Sequence, residues 1–251
     1  MKKLVVMAAI AMVLGLTQTG NAVLWDRGGG LIYDDVLDVT WLQDVTYSKT
    51  SGYDADGKMT WSDAVNWADS LEFYDSVRSV TWTDWRLPET LPVNGSFYNF
   101  DATEDGSTDF GYNISAPGSA YPGSTGSEMA YMWYNNLGNK SYHDINGNYP
   151  QEGWKSIPNS TFVDGNGNEV SFNNLEPVGD YWSGTEYTPG PFDAWWFNIT
   201  HGDQGRGYNG YETYAWAVRD GDVAPVPEPV TMLLFGSGLF GLLGLRRRFR
   251  K

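Results

Sequence analysis

The chain of 251 residues contains no cysteine and only two histidines, His143 and His201. Without thiols it can form no disulfide, no thiolate metal site and no cysteine nucleophile. The histidines are far apart in sequence, and neither sits in a His-x-x-x-His or Glu-flanked zinc spacing. A Gly-x-Ser-x-Gly elbow, a phosphate loop and a dinucleotide fingerprint are missing too. Positive charge is scarce where a folded domain would lie. Of the 16 Lys and Arg, seven occupy the two ends; the remaining nine face all 31 Asp and Glu, a net of −22 for the stretch ending at Glu228. Such a surface repels nucleic acid and other polyanions and favours neutral or cationic partners.

Long apolar runs are confined to the ends. Met1-Lys2-Lys3 precedes an uncharged stretch from Leu4 to Leu16, and Gly20-Asn21-Ala22 follows with small residues at the positions a signal peptidase reads. This predicts a signal peptide over 1–22, cleaved after Ala22. At the other end, Pro227-Glu228-Pro229 precedes an uncharged run, Val230 to Leu245. As a helix this run covers about 24 Å, a little less than the ~30 Å hydrocarbon core. Arg246, Arg247, Arg248, Arg250 and Lys251 then form a basic stop on the cytoplasmic side. The expectation is a transmembrane helix over 230–245 within a sorting segment over 225–251.

This order of triplet, apolar run and basic cluster closely resembles the PEP-CTERM sorting signal. The resemblance implies transient anchoring in the inner membrane of a Gram-negative bacterium, cleavage near Pro227-Glu228-Pro229 by an exosortase, and release to the cell surface or extracellular matrix. Proteins of this kind are commonly associated with exopolysaccharide and biofilm. The implied partners are signal peptidase, exosortase, the inner membrane for a time, and exopolysaccharide; nucleic acid is not among them.

The remaining roughly 200 residues, 23–224, are enough for one domain with a real core. Trp61, Ala64, Val65, Ala68 and Leu71 fall on one helical stripe, and Thr60 with Asp63 makes an N-terminal cap. A weaker helix is expected from Ser127 to Leu137, stopped by Gly138. Residues 31–42 read as one or two strands around an Asp34-Asp35 break. Residues 180–187, 194–200 and 214–219 read as three antiparallel strands. Leu91 to Gly126, rich in Gly, Ser, Asn, Asp and Tyr, reads as a long irregular insertion. The fold class expected is α+β.

The ordered set Arg27-Gly28-Gly29-Gly30-Leu31-Ile32-Tyr33-Asp34-Asp35, Val39-Thr40-Trp41-Leu42, Thr60-Trp61, Trp85-Arg86-Leu87-Pro88, Tyr181-Trp182-Ser183-Gly184-Thr185-Glu186 and Tyr214-Ala215-Trp216-Ala217-Val218-Arg219 resembles the Lcl C-terminal-domain family. That resemblance implies a C-type-lectin-like fold and an adhesin that binds sulfated polysaccharide. The chain departs from it in its acidity, in lacking disulfides, and in placing Val178 after Glu176-Pro177 where C-type lectins carry Glu-Pro-Asn.

Sugars stack on aromatic faces through their C–H groups while carboxylates and amides hold their hydroxyls. Trp182, Trp195 and Trp196 are the candidate platforms, with Glu186, Asp193 and Asn198 as polar partners; a tryptophan-rich strand also serves simply as core. Adjacent Trp195 and Trp196 point to opposite faces of a strand, so one can lie on an exposed or insertion-covered side. Trp85-Arg86-Leu87-Pro88 reads as architectural, with Arg86 paired to a buried acid. Asp144, Asn146 and Asn148, and again Asp164, Asn166 and Asn168, place oxygens at alternate positions, as calcium loops do. Lys155 and Leu175 stand where an EF-hand needs its bidentate acid, and Asp-Gly and Asn-Gly turns form without metal. The reading is an exported, non-enzymatic carbohydrate-binding or adhesion module, with calcium as the one cofactor considered. A polysaccharide-acting enzyme and a structural matrix protein without a specific ligand are the alternatives.

Overall fold

The computed structural model describes residues 23–223. The expected signal peptide over 1–22, the expected helix over 230–245 and the sorting residues Pro227, Glu228, Pro229, Arg246, Arg247 and Arg248 lie outside them. The chain begins with β1 (Leu24–Asp26), β2 (Leu31–Asp34), β3 (Val39–Leu42), α1 (Tyr47–Thr50), β4 (Lys58–Met59) and α2 (Trp61–Asp69). There follow β5 (Phe73–Asp75), β6 (Val80–Trp82), β7 (Trp85–Arg86), β8 (Ala102–Thr103), β9 (Phe110–Tyr112) and α3 (Glu128–Tyr131), which continues as a π-helical turn (Met132–Asn136). The last elements are β10 (Thr161–Val163), β11 (Glu169–Ser171), β12 (Asp180–Glu186), β13 (Asp193–Asn198), β14 (Asp203–Tyr208), β15 (Thr213–Tyr214) and β16 (Val218–Asp220).

Strand is thus abundant and helix sparse, an α+β or mainly β arrangement. A five-stranded antiparallel sheet runs β1-β2-β3-β16-β7. A seven-stranded sheet runs β4-β15-β12-β13-β14-β9-β8, parallel only at β12–β15 and β8–β9. The alternation of side chains along β12 and β13 supplies two cores. Tyr181 and Phe197 join one with Trp41, Trp133 and Trp216; Trp182 and Ala194 join the other beneath α2. Helix α2 buries Ala64, Trp67 and Ala68 against that second core. The Thr60 hydroxyl oxygen caps it by accepting from the Asp63 amide at 3.3 Å.

Two expectations need correcting. Residues 214–219 are not one strand beside 180–187 and 194–200. The chain leaves the large sheet after β15, crosses through buried Ala215, Trp216 and Ala217, and enters the other sheet as β16. The expected antiparallel pairing of β12 with β13 holds, and the antiparallel neighbour on the other side of β13 is β14, Asp203-Gln204-Gly205-Arg206-Gly207-Tyr208, whose two glycines disguise it. Those glycines are required by a close approach. Trp196 lies across them, and a Cβ would come within 2.6 Å of its ring at Gly205 and 3.1 Å at Gly207.

The 91–126 insertion contributes β8 and β9 to the sheet edge and otherwise runs as loop. Buried Asp109 organises it: its carboxylate accepts from the Val93 amide at 2.6 Å and the Asn99 amide at 2.7 Å. The loop so held lays Tyr98 and Phe100 over Trp195, nearly parallel, with ring centroids 5.9 and 6.1 Å away.

Candidate functional site

Residues directly opposite each other on paired antiparallel strands share a face. Asp180 on β12 is opposite Asn198 on β13, Asn198 is opposite Asp203 on β14, and Asp203 is opposite Tyr112 on β9. Four polar side chains therefore form one row across four adjacent strands. All four are half-buried. Asn198 sits at its centre and is held from both ends. Its Nδ2 donates to Asp180 Oδ1 at 2.7 Å, and its Oδ1 accepts from the Thr200 amide at 2.9 Å and the His201 amide at 2.8 Å.

The row ends in aromatic rings. Tyr112 stacks on His143 with centroids 4.2 Å apart, and His143 stacks on exposed Tyr149 at 4.7 Å. Tyr142 touches His143 and His201, both at 5.4 Å, and meets Trp154 edge-on at 4.9 Å. Trp154 is nearly parallel to His201 at 6.1 Å and donates from Nε1 to the Thr200 carbonyl at 3.0 Å. Two histidines widely spaced in sequence thus meet around one tyrosine.

Burial governs the electrostatics. The Asp203 carboxyl is pushed up to about 7, first by desolvation and then by repulsion from Asp180. Asp180 is raised by desolvation, against the opposing effects of the Asn198 hydrogen bond and His201. Tyr112 is pushed up to about 12 by desolvation and by the charges of Asp203 and Glu104. Among the described residues no Lys or Arg ion-pairs with Asp180 or Asp203. Carboxylates that accept, the one remaining N–H of the Asn198 amide and adjacent ring faces match the hydroxyl and C–H groups of a sugar.

Of the sequence-derived platform residues, only Asn198 lies in this row. Trp182 and Trp196 are one step along the same face, opposite each other. Trp182 is 1% exposed and donates from Nε1 to the Met59 carbonyl at 3.0 Å. Trp195 is on the other face, 0% exposed, covered by Tyr98 and Phe100 and met edge-on by Tyr187 at 5.1 Å. Neither ring leaves a face for a sugar, because core and insertion occupy both. Trp196 is half-buried. At the far end of β13, Asp193 is taken by an ion pair with Arg206, and Glu186 is exposed opposite Ala194. Sequence reasoning missed Asp180, Asp203, Tyr112, Tyr142, His143 and Trp154. Asp203 was out of reach while β14 went unrecognised; Asp180 directly precedes the Tyr181-Trp182 motif and was the available signal.

The two Asx-rich loops are self-supported. Asp144 Oδ1 accepts from the amides of Asn146 at 2.9 Å and Asn148 at 2.8 Å, while Asn148 Nδ2 donates to its Oδ2 at 2.9 Å. Asp164 Oδ1 accepts from the amides of Asn166 at 3.0 Å and Asn168 at 2.7 Å. Their carboxylates thus do the work of turn formation. Among the described residues no three His, Cys, Asp or Glu gather closely enough to hold a metal ion. A groove of about 680 Å³ between 91–96 and 120–126 shares no residue with the row and is lined by no charged side chain.

Among the described residues no helix is long and apolar enough to cross a membrane. No curated protein matches the chain, and no solved structure does; the Lcl and C-type-lectin-like resemblance draws no support from either comparison. Residues 225–248 match the PEP-CTERM protein-sorting motif. The chain is therefore that of an exported protein sorted by exosortase and held for a time by a C-terminal membrane anchor before processing.

Proposed function

We propose that the exported domain is a non-enzymatic carbohydrate-binding or adhesion module of the cell surface or extracellular matrix. The Asp180–Asn198–Asp203 row and the neighbouring rings of Tyr149 and Trp154 hold the sugar. The carrying observation is the row itself: hydroxyl-binding groups set side by side on paired strands, beside stacked aromatic rings. The Lcl-like motifs and the exopolysaccharide association of PEP-CTERM proteins point the same way.

Retention of the processed protein on exopolysaccharide tests this. Asn198→Ala and Trp154→Ala should abolish saturable retention while circular dichroism stays unchanged. Release of reducing ends would move the assignment to an enzyme. Absence of retention on every glycan would leave a structural matrix protein.

A further inference from the structure

The folded domain ends close to its membrane anchor. Val223 is fully buried, in the core that Phe73 and Trp82 pack against. From there to Val230, the first residue of the apolar run within the sorting motif, the chain advances seven residues. Fully extended, they reach at most about 25 Å. A domain of about 200 residues is roughly 40 Å across. While the anchor holds, only the side of the domain nearest Val223 reaches the membrane surface.

The hairpin of β5 and β6 lies on that side. Asp222 forms a two-pronged ion pair with Arg27, at 2.9 and 2.6 Å, and the Arg27 carbonyl accepts from Arg78 Nη2 at 2.6 Å. A Cβ at Gly29 would come within 2.6 Å of Asp75 Oδ1 and 3.3 Å of Val77. The hairpin tip thus rests on the 27–30 turn that Asp222 holds. No exposed residue from Tyr74 to Thr83 is charged, and Tyr74, Val77 and Val80 are exposed there. The one acid of the hairpin, Asp75, is buried and paired with Arg78 at 2.6 Å; exposed Glu72 and Asp84 stand only at its base. The 91–100 loop is uncharged too, but it lies over Trp195 in the large sheet. Position beside Asp222 is what distinguishes the hairpin.

We infer that the tip of this hairpin, residues 76–80 with Tyr74 behind them, rests on the lipid bilayer while the protein awaits processing. The bilayer is the occupant because the short tether keeps it within reach throughout. Tyrosine is favoured at the headgroup level, and valine in the acyl boundary below. The chain up to Glu228 carries a net −22, and its exposed carboxylates are repelled by anionic headgroups within a Debye length, about 8 Å in physiological salt. The hairpin presents no such charge at its tip.

The chain has no cysteine, so one introduced cysteine carries one probe. The anchored precursor is reconstituted in vesicles of phosphatidylethanolamine with a minor share of phosphatidylglycerol. An environment-sensitive dye is placed at Val77→Cys, Val80→Cys or Ile157→Cys, and its quenching by spin-labelled lipid is read. Ile157 is equally exposed but follows Trp154, which bonds Thr200 beside the polar row. Quenching at Val77 and Val80 should exceed that at Ile157 about threefold or more, since it requires the dye at lipid depth. Hydrogen exchange on the unlabelled chain is independent of any substitution, and should be slower over 74–81 in the anchored precursor than in the released domain. Equal quenching at all three positions, none at Val77 and Val80, or unchanged exchange over 74–81 overturns the inference. Slowed exchange without quenching assigns the hairpin to a protein partner or a second copy and overturns it as well.

Discussion

Arg86 and Glu128, 42 residues apart in sequence, form a two-pronged ion pair, with Nη1 and Nη2 each 2.8 Å from a carboxylate oxygen. Glu128 Oε2 also accepts from the Glu89 amide at 2.7 Å, and Arg86 Nε donates to Asp220 at 2.9 Å. The pair therefore ties β7, α3 and β16 together. Glu128→Gln should cost about 1–3 kcal/mol, because it leaves a partly buried guanidinium with only the exposed Asp220 as counter-charge. Arg86→Lys keeps the charge but loses the fork, for about 1–2 kcal/mol. Urea unfolding of the two variants measures both; equal midpoints to the parent would show the pair to be inert.

Asp109→Ala should loosen the insertion. It removes both acceptors for the Val93 and Asn99 amides, and leaving buried amides unpaired costs about 1–3 kcal/mol each. The local consequence is exposure of Trp195, which the insertion covers. A red shift in tryptophan emission and faster hydrogen exchange over 93–110 are expected. Unchanged exchange there would contradict the clamp.

Stability should rise on mild acidification. Folded Asp203 titrates near about 7 and Asp34 near about 6, both raised first by burial, against the usual 3.8. Between 3.8 and those values the folded chain keeps protons that the unfolded chain has lost, so stability falls as pH climbs from about 4 to 7. Asp84, held low by its hydrogen bond to Arg219, acts only below its ordinary range. The gain from pH 7.5 to pH 5 is on the order of 2–4 kcal/mol for the two groups together. Thermal melts across this range check it, and Asp203→Asn should flatten the slope.

The tryptophans should divide by burial. Trp182→Ala and Trp195→Ala remove fully enclosed rings and should cost about 3–5 kcal/mol. Tyr149→Ala, at a ring 64% exposed, should cost under about 1 kcal/mol while weakening sugar retention. Gly205→Ala should cost about 1–3 kcal/mol by pressing a methyl on Trp196. A retention defect confined to the two enclosed tryptophans would refute the placement of the site.

Much of the scaffold was legible one element at a time. The Trp61–Asp69 helix follows from its apolar stripe and Thr60 cap, and β2, β3, β12 and β13 from β-forming residues between turn signals. Arg86 was expected to meet a buried acid, and that acid is Glu128, 8% exposed. Strand β14 was hidden because Gly205 and Gly207 weaken its local preference, and only Trp196 explains why glycine stands there. The break between β15 and β16 was hidden because the apolar run 214–218 continues through it; which sheet each half joins is a matter of partners distant in sequence.

What the sequence settles alone is the export address, because a sorting signal is read linearly: a proline-framed triplet, a run of apolar residues and a basic stop suffice without any tertiary contact. The row of Asp180, Asn198, Asp203 and Tyr112 is decided by tertiary structure alone. It exists through the register of four strands, and a slip of one residue in any of them would send that side chain to the opposite face.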